Sequence, residues 1–522
     1  MDYPGLMPFI SDLPKHHVLS SDQYENITRL VSISKKFLKK AEIEQNDTVI
    51  ESQKTIVLES GHQPNFLPHA GTWKKAFLLN QIFTKLKKSG NLTVAFFGFA
   101  DQNISTARLL SKNQFPDLNK NGFTKIGFKI RDEDKPRSFN RVAKPSAEEW
   151  QKETDRIGQH FRFITEKTQY RNKSVRNQWD MIFDIFGTSY HRAENFAELN
   201  AIVFARICRE IFDLNLLFFL YSDMHHENLF LEESKKILRN VREFNQVYNQ
   251  EIVRNNLDIP TVPINHLPFW YECDCGVKLD LLPDASGTCE LTCPVCMNQY
   301  TIRLGPDFEN LEHYFKNMDF NAVSRNIIMA HGLGVSLFLS GTGGSFTYGR
   351  ISDSISTVMG FHNPATLAWQ SGDRYLGMMQ KIVLWDLMKT FSLTPEDLLS
   401  ASLNEKFEEK QDSISHHIGE SEARNNLKEK KYWTGLRNSA RSQVEFTRKF
   451  FSGTPSFIDI LANFEQDTII QMWEKAIDYS EVQKTGYQYR IRADINYPAV
   501  IFQDIKPAEL PLIYESLKKI GV

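Results

Sequence analysis

Two groups of residues in this 522-residue chain have types and spacings that could do chemistry. The first is a set of cysteines: Cys273 and Cys275 in a Cys-x-Cys-Gly turn, then Cys293 and Cys296 in a Cys-Pro-Val-Cys turn. Four thiolates at two paired ends of one short segment meet the tetrahedral demand of a structural zinc ion. Cys289 is a fifth candidate for four places, and Cys208 sits alone in an apolar helical pattern, as core. A zinc saturated with thiolates has no open position for water, so this Zn2+ is expected to hold shape and not to hydrolyse anything.

The second group lies in loops that follow predicted strands. After Thr55–Glu59 come Gly61, His62 and Gln63, then His69 and, near the start of a predicted helix at Thr72, Lys74 and Lys75. Gly61 is expected to let the chain turn sharply, and the free N–H groups of the helix start to meet an anion, with Lys74 beside it. A later strand, Val335–Leu339, runs into Ser340, Gly341, Thr342, Gly343 and Gly344, followed by Tyr348. Asp101 stands at the exit of a second strand (92–98) and Asp223 at the exit of a third (216–221), where each either orients a hydroxyl or amine or caps the helix that follows. Loops at the carboxyl ends of parallel strands line the ligand crevice of open α/β sheets, so three such loops predict a site for a small-molecule substrate, with ATP or ADP as candidate ligand.

The elements that must position these residues follow from hydrophobic period. Strand, helix and strand alternate from 55 to 98, which is a β-α-β unit with parallel strands. Phe196, Leu199, Val203 and Ile207 mark a helix before the third strand, while 112–190 is polar and carries no clear period. Arg325–Met329 reads as a further strand. From Tyr375 to Glu481 the pattern is helical and charged, with Thr394-Pro395 and Thr454-Pro455 as helix starts. The tail from Tyr487 to Phe502 alternates like a strand returning to the core.

The expected fold class is therefore α/β: a Rossmann-like parallel sheet with an inserted zinc ribbon and a helical coiled-coil domain. The units expected are a helical lead-in (1–54), the first part of the core (55–265), the zinc-ribbon insertion (266–304), the second part of the core (305–374), a helical coiled-coil region (375–485) and a C-terminal strap (486–522). A chain of this length exceeds what one ordinary core supports. The formal net charge of −2 gives no ground for a nucleic-acid partner, and no apolar run approaches a membrane span. Clustered cysteines with metal spacing and the lack of a signal peptide at Met1-Asp2-Tyr3-Pro4 predict a cytoplasmic protein, and the long charged helices predict a homodimer.

Taken together, Gly61-His62-Gln63, the strand ending in Asp101, Phe219-Leu220-Tyr221-Ser222-Asp223, Arg325, and the Ser340–Gly344 loop with Tyr348 resemble the BshC family, assigned the cysteine-adding step of bacillithiol biosynthesis. The resemblance implies a Rossmann-type core with a coiled-coil domain and a ligase that joins the carboxyl of cysteine to the amine of a small sugar conjugate. It also implies that Arg325 and Tyr348 belong to the site. The family's Glu-Asp-His-Asp at the second strand exit is Ala100-Asp101-Gln102-Asn103 here, so Ala100, Gln102 and Asn103 stand in place of a Glu, the His and an Asp. That departure makes the alternative a non-catalytic nucleotide- or metabolite-binding scaffold with a structural zinc. The Gly61–Pro68 stretch also resembles the opening of WbqC-like proteins.

Overall fold

A computed structural model describes residues 2–13, 18–44, 54–117, 123–167, 173–341, 344–400, 402–450, 455–497 and 510–518. Its centre is a seven-stranded sheet made of β1 (Ile56–His62), β2 (Thr93–Phe99), β3 (Leu217–Leu220), β4 (Leu337–Ser340), β5 (Ala365–Gln370), β6 (Val482–Thr485) and β7 (Gln488–Arg492). The spatial order is β6-β7-β5-β4-β1-β2-β3, and all neighbours are parallel except the terminal pair β6-β7. Strands buried on both faces must be apolar throughout, which is why β2 (Thr-Val-Ala-Phe-Phe-Gly-Phe) and β3 (Leu-Phe-Phe-Leu) are continuous runs.

Four helices bear on the site: α1 (Ser21–Lys40), α2 (Ala70–Lys88), α3 (Phe196–Arg206) and α4 (Tyr221–His226). α2 and α3 cover one face, where Trp73 packs on Phe204 with ring centroids 4.3 Å apart and Phe204 packs on Phe97 at 5.4 Å. α3 is buried on nearly every residue from Phe196 to Ala205, so it is a core helix and not an amphipathic surface helix. The polar stretch without a clear period folds into a small hairpin, Lys112–Pro116 with Phe123–Gly127, and two helices, Ala147–Lys167 and Lys173–Arg192.

Arg325–Met329 is not a strand. It lies in α5 (Ala322–Leu333), where Asn321 accepts from Val323 N and Ser324 N and Gly334 ends the helix at φ 58°. A short run of Ile, Ile and Met fits a buried helix as well as a buried strand, and the Asn and Gly caps decide between them. The strand Val335–Leu339 is present as β4, and α6 (Gly344–Met359) follows it. The Thr394-Asp397 box opens only a single 3-10 turn, Asp397–Leu399, while Thr454 lies outside the described residues. Helices Leu403–Ala423 and Leu427–Phe450 pack on each other, with His417 stacked on Trp433 at 4.3 Å, and Phe391 of the preceding helix Met378–Phe391 lies against Phe407 at 4.2 Å. No helix among the described residues is long and apolar enough to cross a membrane.

Candidate functional site

The exits of four adjacent strands line up at one edge of the sheet. Ser60 of β1 is level with Leu339 of β4 and donates to its carbonyl at 2.9 Å, while Gly61 pairs with Gly98 and Phe99 with Leu220. Gly61-His62-Gln63 and Ser340-Gly341 therefore leave the sheet side by side. Thr342 and Gly343 lie outside the described residues, and Gly344 begins α6. Because side chains alternate along a strand, β1 presents His62 to the α2 face and Glu59 to the opposite face.

On the α2 face, His62 Nδ1 contacts the Gln63 carbonyl at 2.9 Å and Nε2 lies 3.4 Å from Thr72 Oγ1. Burial, reinforced by the Lys75 ammonium, pushes His62 down to about 3, so the ring is neutral. His69 does not turn inward: it is the N-cap of α2, accepting from Gly71 N at 3.2 Å, with its ring edge-on to His62 at 6.4 Å. Lys75 donates to the Gly61 carbonyl and has no carboxylate partner among the described residues; burial brings it down to about 8. This lysine, and not Lys74, is the cation left for an anion.

Lys74 is committed elsewhere. It forms a buried ion pair with Asp373 at 2.5 Å, also donates to Ser371, and lies 4.9 Å from the Trp369 ring centroid. Asp373 in turn accepts from Ile495 N at 3.3 Å, so the pair ties α2 to the exits of β5 and β7. Removing one member of a buried pair strands the other's charge, and Lys74→Ala is expected to lower stability by about 3 kcal/mol. A fall in urea midpoint at unchanged slope is the measurement; an unchanged midpoint would show the pair to be dispensable.

The opposite face holds a carboxylate, Glu59, that sequence reading missed, together with Arg325, which the resemblance places in the site. The Glu59 carboxyl is buried and accepts from the Tyr221 hydroxyl at 3.3 Å, and the Arg325 guanidinium sits 5.0 Å from the Tyr221 ring centroid. Burial pushes Glu59 up to about 8, against the pull of the Tyr221 hydrogen bond and Arg325. Gly61 is explained here as well. It is within β1 and makes no sharp turn; a Cβ there would lie 2.7 Å from the Gly98 carbonyl and 3.3 Å from the Tyr221 hydroxyl. At Gly98 a Cβ would meet Phe219 Cζ at 2.6 Å and Tyr221 Cε2 at 2.7 Å. The two glycines make the bed on which Tyr221 lies to reach Glu59.

Asp101, just past β2, accepts from Ser222 N at 3.1 Å and Ser222 Oγ at 2.5 Å, so it caps the start of α4. Burial raises it to about 7. Asp223 lies close enough for its charge to help raise Asp101, but its own charged neighbours are Glu198, Lys40, Lys36 and Glu227, and burial raises it to about 6. Tyr348 lies on α6 near Tyr248, in the packing of α6 against helix Val241–Asn255.

Four of the five crowded cysteines converge. The turns of two hairpins, Phe269–Glu272 with Lys278–Asp280 and Thr288–Thr292 with Gln299–Arg303, bring Cys273, Cys275, Cys293 and Cys296 together. Sγ of Cys273 is 3.4 Å from those of Cys275 and Cys296, and Sγ of Cys275 is 3.5 Å from that of Cys293. This cluster could hold a metal ion. Against the cost of burial, the N–H groups of Cys296 and Val295 bring the Cys293 thiol down to about 7, while burial and adjoining thiols push Cys275 up to about 12. Cys289 is outside the cluster, buried on its strand, and burial pushes it up to about 12.

The fold and site define an α/β protein with a mostly parallel seven-stranded sheet, polar groups gathered at the strand exits, and a four-cysteine cluster suited to a metal ion. No protein-family model matches the chain, and no curated protein matches it.

Proposed function

We propose that the chain is a ligase-like enzyme, resembling the cysteine-adding enzyme of bacillithiol biosynthesis, that binds ATP or ADP in the crevice between β1 and β4 and couples a carboxylate to an amine. The observation that carries this reading is the strand order. Counted from β1, the parallel strands run β3-β2-β1-β4-β5-β7, the order of the Rossmann-like doubly wound sheet, and its ligand crevice opens where the order reverses, between β1 and β4. There Lys75, which has no carboxylate partner among the described residues, offers a cation to a phosphate beside the start of α2, whose macrodipole favours an anion. The cysteine unit, read as a zinc ribbon, holds structural zinc. Assembly as a homodimer through the helical hairpin 403–450 belongs to the same reading, with Leu427 and Tyr432 exposed on it; light scattering at micromolar concentration tests it, a monomer removing it.

Calorimetric titration of ATP and ADP into wild type and Lys75→Met is the test. Wild type is expected to bind, and Lys75→Met to bind at least about tenfold more weakly, as for loss of one charge-assisted hydrogen bond. Absence of binding to wild type would end the nucleotide reading. The scaffold alternative is favoured by one feature: Ser222 engages both oxygens of Asp101, and Gln102 beside it has no proton to exchange. Nucleotide binding without cleavage of ATP to either ADP or AMP when cysteine and glucosamine are supplied would decide for it.

A further inference from the structure

Helix Leu403–Ala423 carries a second group of metal-binding side chains, far in sequence from the cysteine unit. His416 and His417 are neighbours, and Glu420 follows them by four and three residues. At 3.6 residues per turn these spacings set all three on an arc of about 100° of one helix face, with Glu420 between the two rings. The geometry agrees. His416 Nδ1 lies 3.9 Å from Glu420 Oε1 and His417 Nδ1 lies 3.5 Å from Glu420 Oε2, and one ligand atom from each of the three residues lies within 4.8 Å of the others. The His417 ring is stacked on Trp433 of the facing helix at 4.3 Å with an interplanar angle of 12°, which fixes the plane of that ring before any ion arrives. Arg424 Nη2 stands 3.4 Å from Oε2, while Oε1 meets no cation but the His416 ring among the described residues.

The chemistry of these groups selects a ligand. Two imidazole nitrogens and a carboxylate oxygen suit zinc and its first-row neighbours, whereas Mg2+ and Ca2+ take oxygen ligands. Zinc bonds of about 2.0–2.2 Å put neighbouring ligands of a tetrahedral shell roughly 3.4 Å apart, so the two His–Glu distances need to close by a few tenths of an ångström at most. None of the three side chains is buried, and each is free to make that adjustment. Arg424 holds the carboxylate from its far side, as outer partners do at metal sites. We propose that His416, His417 and Glu420 form a second metal site on the helical hairpin, taking a divalent transition-metal ion such as Zn2+. Three protein ligands leave the fourth position open to water or another donor, unlike the cysteine cluster with its four thiolates. The site is the weaker of the two, so it empties on dilution while the cysteine cluster stays loaded. It stands apart from the β1/β4 crevice and depends neither on a nucleotide binding there nor on ligase activity.

The test is a calorimetric titration of Zn2+ into the full chain with its cysteine cluster already loaded. Wild type is expected to take one further equivalent with a dissociation constant of about 10 μM or tighter. His416→Gln and Glu420→Gln are each expected to bind that equivalent at least about tenfold more weakly, since losing even an outer partner of a bound metal costs about that much. The His416 side chain is 70% exposed, so the melting temperature of His416→Gln without added zinc should match that of wild type. A large excess of Mg2+ should leave the titration unchanged. No further equivalent in wild type, or wild-type affinity in both variants, would overturn the site. Displacement of the added Zn2+ by Mg2+ would overturn the transition-metal class.

Discussion

The Cys293→Ser protein is expected to lose its metal, and with it the fold of residues 269–303. Wild type should carry about one zinc per chain, since structural zinc sites of this kind bind with roughly 10–16 kcal/mol. The hairpin Phe269–Asp280 is extended by Met318–Phe320 into a three-stranded sheet, but the hairpin Thr288–Arg303 has five residues per strand and pairs with no further strand among the described residues, and an isolated hairpin of that size is marginal in water. Without a cation, four sulfurs as close as 3.4 Å cannot all ionise, so metal uptake should release protons and weaken as pH falls. The damage should reach the core, because the unit supplies Glu272 to Arg141 and Lys278 to buried Asp319. Elemental analysis with limited proteolysis is the measurement. Cys208→Ser and Cys289→Ser should keep their metal; a Cys293→Ser protein that also keeps a full equivalent would remove the four-thiolate assignment.

Glu59→Gln is expected to stabilise the protein at neutral and alkaline pH and to flatten its stability profile. Glu59 is raised from 4.5 to about 8 by burial, so between those values the folded chain holds a proton that the unfolded chain has lost. Stability from this group is full below about pH 4.5 and is lost as pH rises to about 8. At roughly 1.4 kcal/mol per pKa unit, the loss amounts to several kcal/mol. The amide keeps an acceptor for the Tyr221 hydroxyl and carries no charge to desolvate. Urea melts of both proteins from pH 5 to 9 give the answer: the gap should widen with pH in favour of the variant. A gap that stays constant would show that Glu59 does not titrate in this window. Such a carboxyl, kept protonated beside Tyr221 and Arg325, is also a group able to donate a proton at the strand exits.

The legible parts of the site were those carried by local signals. The paired cysteine turns announce themselves by spacing, but spacing did not choose among five thiols. The structure drops Cys289, because its strand directs it into the hairpin core and away from the turns. Adjacent Lys74 and Lys75 look alike in sequence, yet Asp373, 299 residues on, takes the first and leaves the second. Glu59 reads as the polar end of a strand, and nothing local reveals that Tyr221 and Arg325 close over it. A glycine pair in register on neighbouring strands was the available signal, since Gly61 and Gly98 leave room for a large ring.

By itself, the sequence determined the α/β alternation from β1 through β3, the parallel run into β4, and the four-cysteine segment, because hydrophobic period and ligand spacing are local properties. It did not determine whether Arg325–Met329 was helix or strand, since five apolar-rich residues satisfy both periods until caps and packing arbitrate. Only the tertiary structure decided which polar groups share the strand exits. Strand order, register and the face each residue takes arise from pairings between segments hundreds of residues apart, and burial then sets which charges are matched and which stand alone.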